Sequence, residues 1–129
     1  MVRPHTRRVN RQTGCNAEQL AFEHLRSQGL KPVSRNFRTR RGEIDLIMLD
    51  DACLVFVEVR YRTETSFVPA VQTVDTHKQR KLASAAAMFL SKNPRLASRV
   101  CRFDVLGIDR DASGHVHIEW MKDAFRPGM

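Results

Sequence analysis

Glu58-Val59-Arg60 is an acid–x–base triplet inside the aliphatic run 53–62 (CLVFVEVRYR). Asp45 lies thirteen residues before Glu58, in a second aliphatic run, 43–49 (EIDLIML). An ionised carboxylate among Val55, Val57 and Val59 is costly unless it is paired or bound to a cation. Neighbouring strands carrying one acid each can bring both to one point. Two carboxylates, a main-chain carbonyl and water make an oxygen set that Mg²⁺ accepts, and Arg60 would then face the phosphate held there. This is a layout for metal-assisted phosphodiester hydrolysis. A plainer reading uses the same residues: Glu58 with Arg60 as a surface ion pair worth little, and Asp45 as an ordinary edge residue. Spacing alone leaves both open. Glu18 likewise is either a third acid or an N-terminal-turn acid favoured by the helix dipole.

The elements that must position these residues follow from periodicity. Residues 14–29 read as a first helix, with Asn16 as N-cap, Gly29 as stop and an apolar stripe of Ala17, Leu20, Ala21 and Leu25 that Glu18 borders. Strands are expected over 31–37, 43–49 and 53–62, the last two joined at Asp50-Asp51. Alternation puts Glu43, Asp45, Ile47 and Leu49 on one face of their strand. It puts Leu54, Phe56, Glu58, Arg60 and Arg62 on one face of the next. A loop over 63–74 leads to a second helix, 75–91, entered at Asp75 or Thr76 and stopped by Asn93-Pro94. Strands 100–108 and 115–121 close the chain as a hairpin. The order α-β-β-β-α-β-β predicts an α/β sandwich around a mixed sheet. Its expected division is a disordered basic arm over 1–13, one domain over 14–126 and a tail over 127–129.

Composition narrows the function classes. The chain has 129 residues, 42% hydrophobic and 28% charged, enough for one globular domain. Lys and Arg number 22 against 14 Asp and Glu, a net +8 that favours a polyanionic partner. Residues 1–13 hold Arg3, Arg7, Arg8 and Arg11 with no acid, and 31–42 hold Lys31, Arg35, Arg38, Arg40 and Arg41 with no acid. The remaining 104 residues sum to −1. Cys15, Cys53 and Cys101 show no CxxC spacing, which argues against a zinc knuckle or a disulfide framework. No apolar leader follows the first arginines, and the longest apolar stretch, 82–90, is far short of the ~20 residues that span a bilayer. A cytoplasmic location without membrane association is expected. His115 and His117 share a strand face but have no third ligand nearby in sequence, so an exposed edge pair is the better reading. Trp120 and Phe125 read as packing residues. There is no glycine-rich phosphate loop and no local signature of a Ser/His or Cys/His nucleophile.

Several segments occur together in order. They are Asn16-Ala17-Glu18 with Ala21, Asn36-Phe37-Arg38, Gly42-Glu43-Ile44-Asp45-Leu46-Ile47, Phe56-Val57-Glu58-Val59-Arg60, Lys78 with Lys81, Arg102-Phe103-Asp104-Val105, and 120–125 (WMKDAF). This series resembles the bacterial YraN family, endonuclease-like proteins similar to archaeal Holliday-junction resolvases within the PD-(D/E)xK nuclease superfamily. It spans about residues 14–125. The resemblance implies a restriction-endonuclease-like fold, with Asp45 and Glu58 as metal-binding acids, Val59 supplying a carbonyl and Glu18 as the helix-1 glutamate. It also implies Mg²⁺ or Mn²⁺ as cofactor, branched DNA as substrate and a homodimer. Arg60 stands where the superfamily usually has lysine, and Ile44 replaces its namesake proline. Arginine stays protonated, so Arg60 can stabilise charge but is a poor general base.

Lys78 and Lys81 lie three apart at the start of the second helix, where main-chain N–H groups also favour phosphate. With Arg38, Arg40 and Arg41 they are the expected nucleic-acid contacts, although solvated faces are the plainer alternative. Two further functions compete with hydrolysis. One is a nucleic-acid-binding protein that keeps the fold without the chemistry, which Arg60 favours. The other is an RNA- or ribosome-associated basic module.

Overall fold

The two aliphatic runs form the middle of a sheet because both of their faces are covered. The computed structural model describes residues 10–62 and 70–127, with side chains from Asn16 onward. Helix α1 (Asn10–Ser27) precedes strands β1 (Lys31–Arg38), β2 (Glu43–Asp50) and β3 (Cys53–Arg62). A 3-10 turn (Ala70–Thr73) leads into helix α2 (Thr76–Lys92), followed by β4 (Cys101–Arg110) and β5 (Val116–Phe125). The strands lie in sequence order, β1-β2-β3-β4-β5. Only β3 and β4 are parallel, as the crossover through α2 requires. The result is the expected mixed-sheet α/β sandwich.

Each helix covers one side. Ala17, Ala21 and Leu25 of α1 pack with Leu46, Val57 and Leu106. On the other side Leu82, Ala85 and Phe89 of α2 pack with Ile47, Phe56 and Val105. Leu54, Val55, Phe56 and Val57 are therefore all buried, which makes β3 the central strand and leaves Glu58 at the end of a dry run.

Local signals set most boundaries. Asp75 caps α2 by accepting the Lys78 N–H at 2.8 Å, and the Asn93 side chain donates to the Phe89 carbonyl at 2.8 Å. Gly29, at φ 98°, ends α1 with the Leu30 N–H on the Leu25 carbonyl. Asp51, at φ 55°, makes the β2–β3 turn. No helix among the described residues is long and apolar enough to cross a membrane.

Three differences from expectation go beyond shifts of one or two residues at an element's end. α1 begins at Asn10, not at the Asn16 cap, because extending an existing helix needs no new nucleus. Residues 10–13 of the expected arm are thus helical, and residues 1–9 lie outside the described residues. Glu18 then sits in the third turn, beyond reach of the N-terminal dipole, so that account of it does not hold. The expected loop 63–74 contains the 3-10 turn, while 63–69 lies outside the described residues.

The third difference is β5, which runs on to Phe125 because a buried acid holds it. Asp104, fully buried, accepts Arg102 Nε at 2.9 Å, Trp120 Nε1 at 2.9 Å and the Asp123 N–H at 2.9 Å. These bonds span a β-bulge and carry the strand past Met121. Phe125 then stacks on Phe103, with ring centroids 5.3 Å apart. Asp104→Ala leaves Arg102 with Asp50 alone and strands the Trp120 and Asp123 N–H groups, and is expected to cost about 2–4 kcal/mol in urea unfolding. A loss below about 1 kcal/mol would show that the network contributes little.

Candidate functional site

Where β2 and β3 stop pairing, two acids meet. The β2–β3 ladder ends at Leu46 opposite Val57. One residue further, Asp45 Oδ2 accepts the Val59 N–H at 2.8 Å, so a side chain takes the place of a main-chain acceptor. Across β2 the register sets Asn36 opposite Asp45, and Asn36 has φ 52°, which asparagine tolerates better than most residues.

Alternation slips at this point. Ile44 and Ile47 both pack on the α2 side, while Leu46 and Met48 pack on the α1 side. The expected common face of Glu43, Asp45, Ile47 and Leu49 is therefore not kept, because the irregularity at Asn36 and Asp45 turns the strand.

Glu58 is 4% exposed, and two cations meet one of its oxygens. Arg60 Nη1 lies 3.4 Å and Lys78 Nζ 3.5 Å from Glu58 Oε2. Arg60 is further held by Thr73, with Nε on Oγ1 at 2.9 Å and Nη2 on the main-chain carbonyl. The surface-pair reading of Glu58 and Arg60 thus fails on burial. Lys78 was expected on phosphate alone. Its place beside Glu58 follows from the α2 crossover, which local spacing does not reveal.

Burial pushes the Glu58 carboxyl up to about 7, and the Asp45 charge adds to this, against the pull of Lys78 and Arg60. Burial also raises Asp45, opposed by the Val59 N–H and by Lys78. Glu18 is raised by burial and then by the Asp45 charge, against the pull of the Asn36 side chain, so α1 brings the third expected acid near Asp45. Among the described residues no three His, Cys, Asp or Glu side chains are arranged to hold a metal ion by themselves. The available set is two carboxylates with the neighbouring Val59 main chain, all hard oxygens. Mg²⁺ commonly takes one or two carboxylates and fills its remaining positions with water, so this set fits it.

The five expected basic residues also converge. Arg38 at the end of β1 and Arg40 and Arg41 of the β1–β2 loop face Lys78 and Lys81 across a cleft of about 350 Å³. Thr39 Oγ1 accepts the N–H groups of Arg41 and Gly42, which tightens the loop. A Cβ on Gly42 would stand 2.5 Å from the Lys81 carbonyl oxygen, so glycine is what lets the loop close on α2. Arg38 also pairs with Glu43 at 3.3 Å. Lys78 belongs to both the cleft and the acid pair. His115 and His117 do not join them: both lie at the β4–β5 turn, where His117 Nε2 is 3.0 Å from Asp111 Oδ2.

Comparison with known proteins places this arrangement in a family. The model of the uncharacterised protein family UPF0102 matches residues 17–108. The chain belongs to the UPF0102 family. A UPF0102 protein of Alcanivorax borkumensis is 48% identical over 118 residues, covering 92% of this chain and 94% of that protein. One from Pseudomonas entomophila is 46% identical over 112 residues, covering 87% and 91%. The matched segment of this UPF0102 member contains Glu18, Asp45, Glu58 and the whole basic cleft.

A raised acid has a stability signature. Between about pH 4.5 and 7 the unfolded chain has released the Glu58 proton while the folded chain keeps it, so stability falls as pH rises through this window. Glu58→Gln removes the penalty. At pH 8 it is expected to be more stable than wild type by about 2 kcal/mol, with a flatter slope between pH 5 and 7 in urea unfolding. A variant less stable than wild type at pH 8 would contradict this electrostatic picture.

Proposed function

We propose that this UPF0102 member binds DNA and hydrolyses its phosphodiester bonds with Mg²⁺ or Mn²⁺, acting as an endonuclease on branched or otherwise structured DNA. The observation that carries the reading is Lys78, which lines the basic cleft and pairs with Glu58. A phosphate backbone seated on Arg40, Arg41 and Lys81 is thereby led to the two acids. The preference for branched DNA, and a homodimer matched to two-fold junction symmetry, come from the resemblance to resolvases.

Asp45 and Glu58, with the Val59 carbonyl, would hold the metal. When bound, the metal supplies Lewis-acid charge at the phosphate and offsets the repulsion between carboxylates and backbone. Arg60, fixed by Thr73, presents its guanidinium beside the acids and stabilises charge that develops on the phosphate. Glu18, raised by burial and Asp45, would serve as an accessory acid to the pair.

A second reading has its own observation. Arg60 and Lys78 together neutralise Glu58 without any metal, as suits a DNA- or RNA-binding protein that performs no hydrolysis. Cleavage of four-way junction, duplex and single-stranded DNA in Mg²⁺ or Mn²⁺ separates the two. Wild type is expected to cut the junction, with Asp45→Ala and Glu58→Ala slower by about 100-fold or more. Binding without cleavage by wild type would favour the second reading. Equal cleavage by wild type and both variants would mark a contaminating nuclease and remove the support for the first.

A further inference from the structure

Lys78 is held at one end and free to reorient at the other. Its main-chain N–H is fixed by the Asp75 cap in the first turn of α2. Its ammonium, on a flexible four-carbon stem, pairs with Glu58 while its side chain lines the cleft shared with Arg40, Arg41 and Lys81. Arg60 meets the same Glu58 oxygen but is anchored by Thr73 through Nε and Nη2. Of the two cations on Glu58, only Lys78 is therefore positioned to leave.

We propose that Lys78 exchanges partners, neutralising Glu58 when the acids hold no divalent cation and turning to a nucleic-acid phosphate in the cleft when they do. This rests on the metal-dependent reading above and adds a coupling between the two sites. A divalent cation and an ammonium compete for Glu58, since like charges a few ångströms apart repel in a partly buried site. Whatever displaces the ammonium frees one positive charge for phosphate. Linkage requires the converse: phosphate that draws Lys78 away eases cation binding at the acids. Lys81, in the same cleft but without a pairing to Glu58, is the internal control.

Two binding measurements test the exchange without recourse to turnover. The first is calorimetric titration with Mn²⁺ in deoxygenated buffer at pH 8.5, without DNA. Lys78→Met and Lys78→Gln are expected to bind Mn²⁺ about tenfold more tightly than wild type, and Lys81→Met within about twofold of it. The second is junction-DNA affinity in EDTA. Lys78→Met is expected to cost less than about twofold in the wild-type background, where Glu58 occupies the ammonium. In the Glu58→Gln background, where the ammonium is free, it is expected to cost about five- to tenfold.

Far-UV circular dichroism of each variant confirms that the comparison is between folded proteins. Wild type that binds Mn²⁺ with an affinity unchanged by both Lys78 substitutions would overturn the exchange and leave the metal site standing. An equal cost of Lys78→Met in both backgrounds would overturn it as well. If neither wild type nor any variant binds Mn²⁺, the exchange and the metal-dependent reading fail together.

Discussion

A carboxylate at the dry end of the central strand is the constraint around which the rest of this site is arranged. Glu58 follows four residues buried on both faces, and its charge there is costly unless matched. Matching comes from elements distant in sequence: Arg60 on the same strand, Thr73 behind it and Lys78 from α2. Asp45 enters the same space because β2 pairs with β3 only from Leu46 onward, and its carboxylate satisfies the Val59 N–H left there. Two acids so close oppose each other's ionisation and weaken the fold at neutral pH. Their arrangement therefore works against stability, which is the usual character of a site kept for binding or chemistry.

Charge on the rest of the molecule is distributed to suit such a site. The acid-free segment 31–42 supplies three arginines to one wall of the cleft, and the first turns of α2 supply two lysines to the other. Close approach of the walls depends on Gly42, whose missing Cβ admits the Lys81 carbonyl. The positive cleft and the acid pair share Lys78, so attraction for a polyanion ends beside the group that a divalent cation would occupy. Net charge alone carries no such directional information.

Much of this was legible in the sequence, for identifiable reasons. The 43–49 and 53–62 runs read as adjacent strands because period-two alternation and a two-residue turn are local signals. Their pairing then brought Asp45 toward Glu58 without further information. α2 was bounded correctly by Asp75 and Asn93, whose side chains cap through bonds three and four residues away. Contacts set by tertiary packing were not legible. Lys78 reaches Glu58 only because α2 crosses over the sheet, and Thr73 reaches Arg60 from a turn read as plain loop. Asn36 breaks the alternation that placed Asp45 on a regular face. Asp104 looked like one more strand residue, although it organises Arg102, Trp120 and the extension of β5. The helix start was misplaced because a good N-cap residue is also tolerated inside a helix whose preceding turn is already formed.

The proposed function depends on Asp45 and Glu58 together holding a divalent cation. Crystals soaked in Mn²⁺, with data collected near the manganese absorption edge, locate that ion directly. An anomalous peak within about 2.0–2.4 Å of carboxylate oxygens from both residues is the predicted result. No peak at the acid pair, or manganese bound only at Asp111 and His117 of the β4–β5 turn, would contradict it.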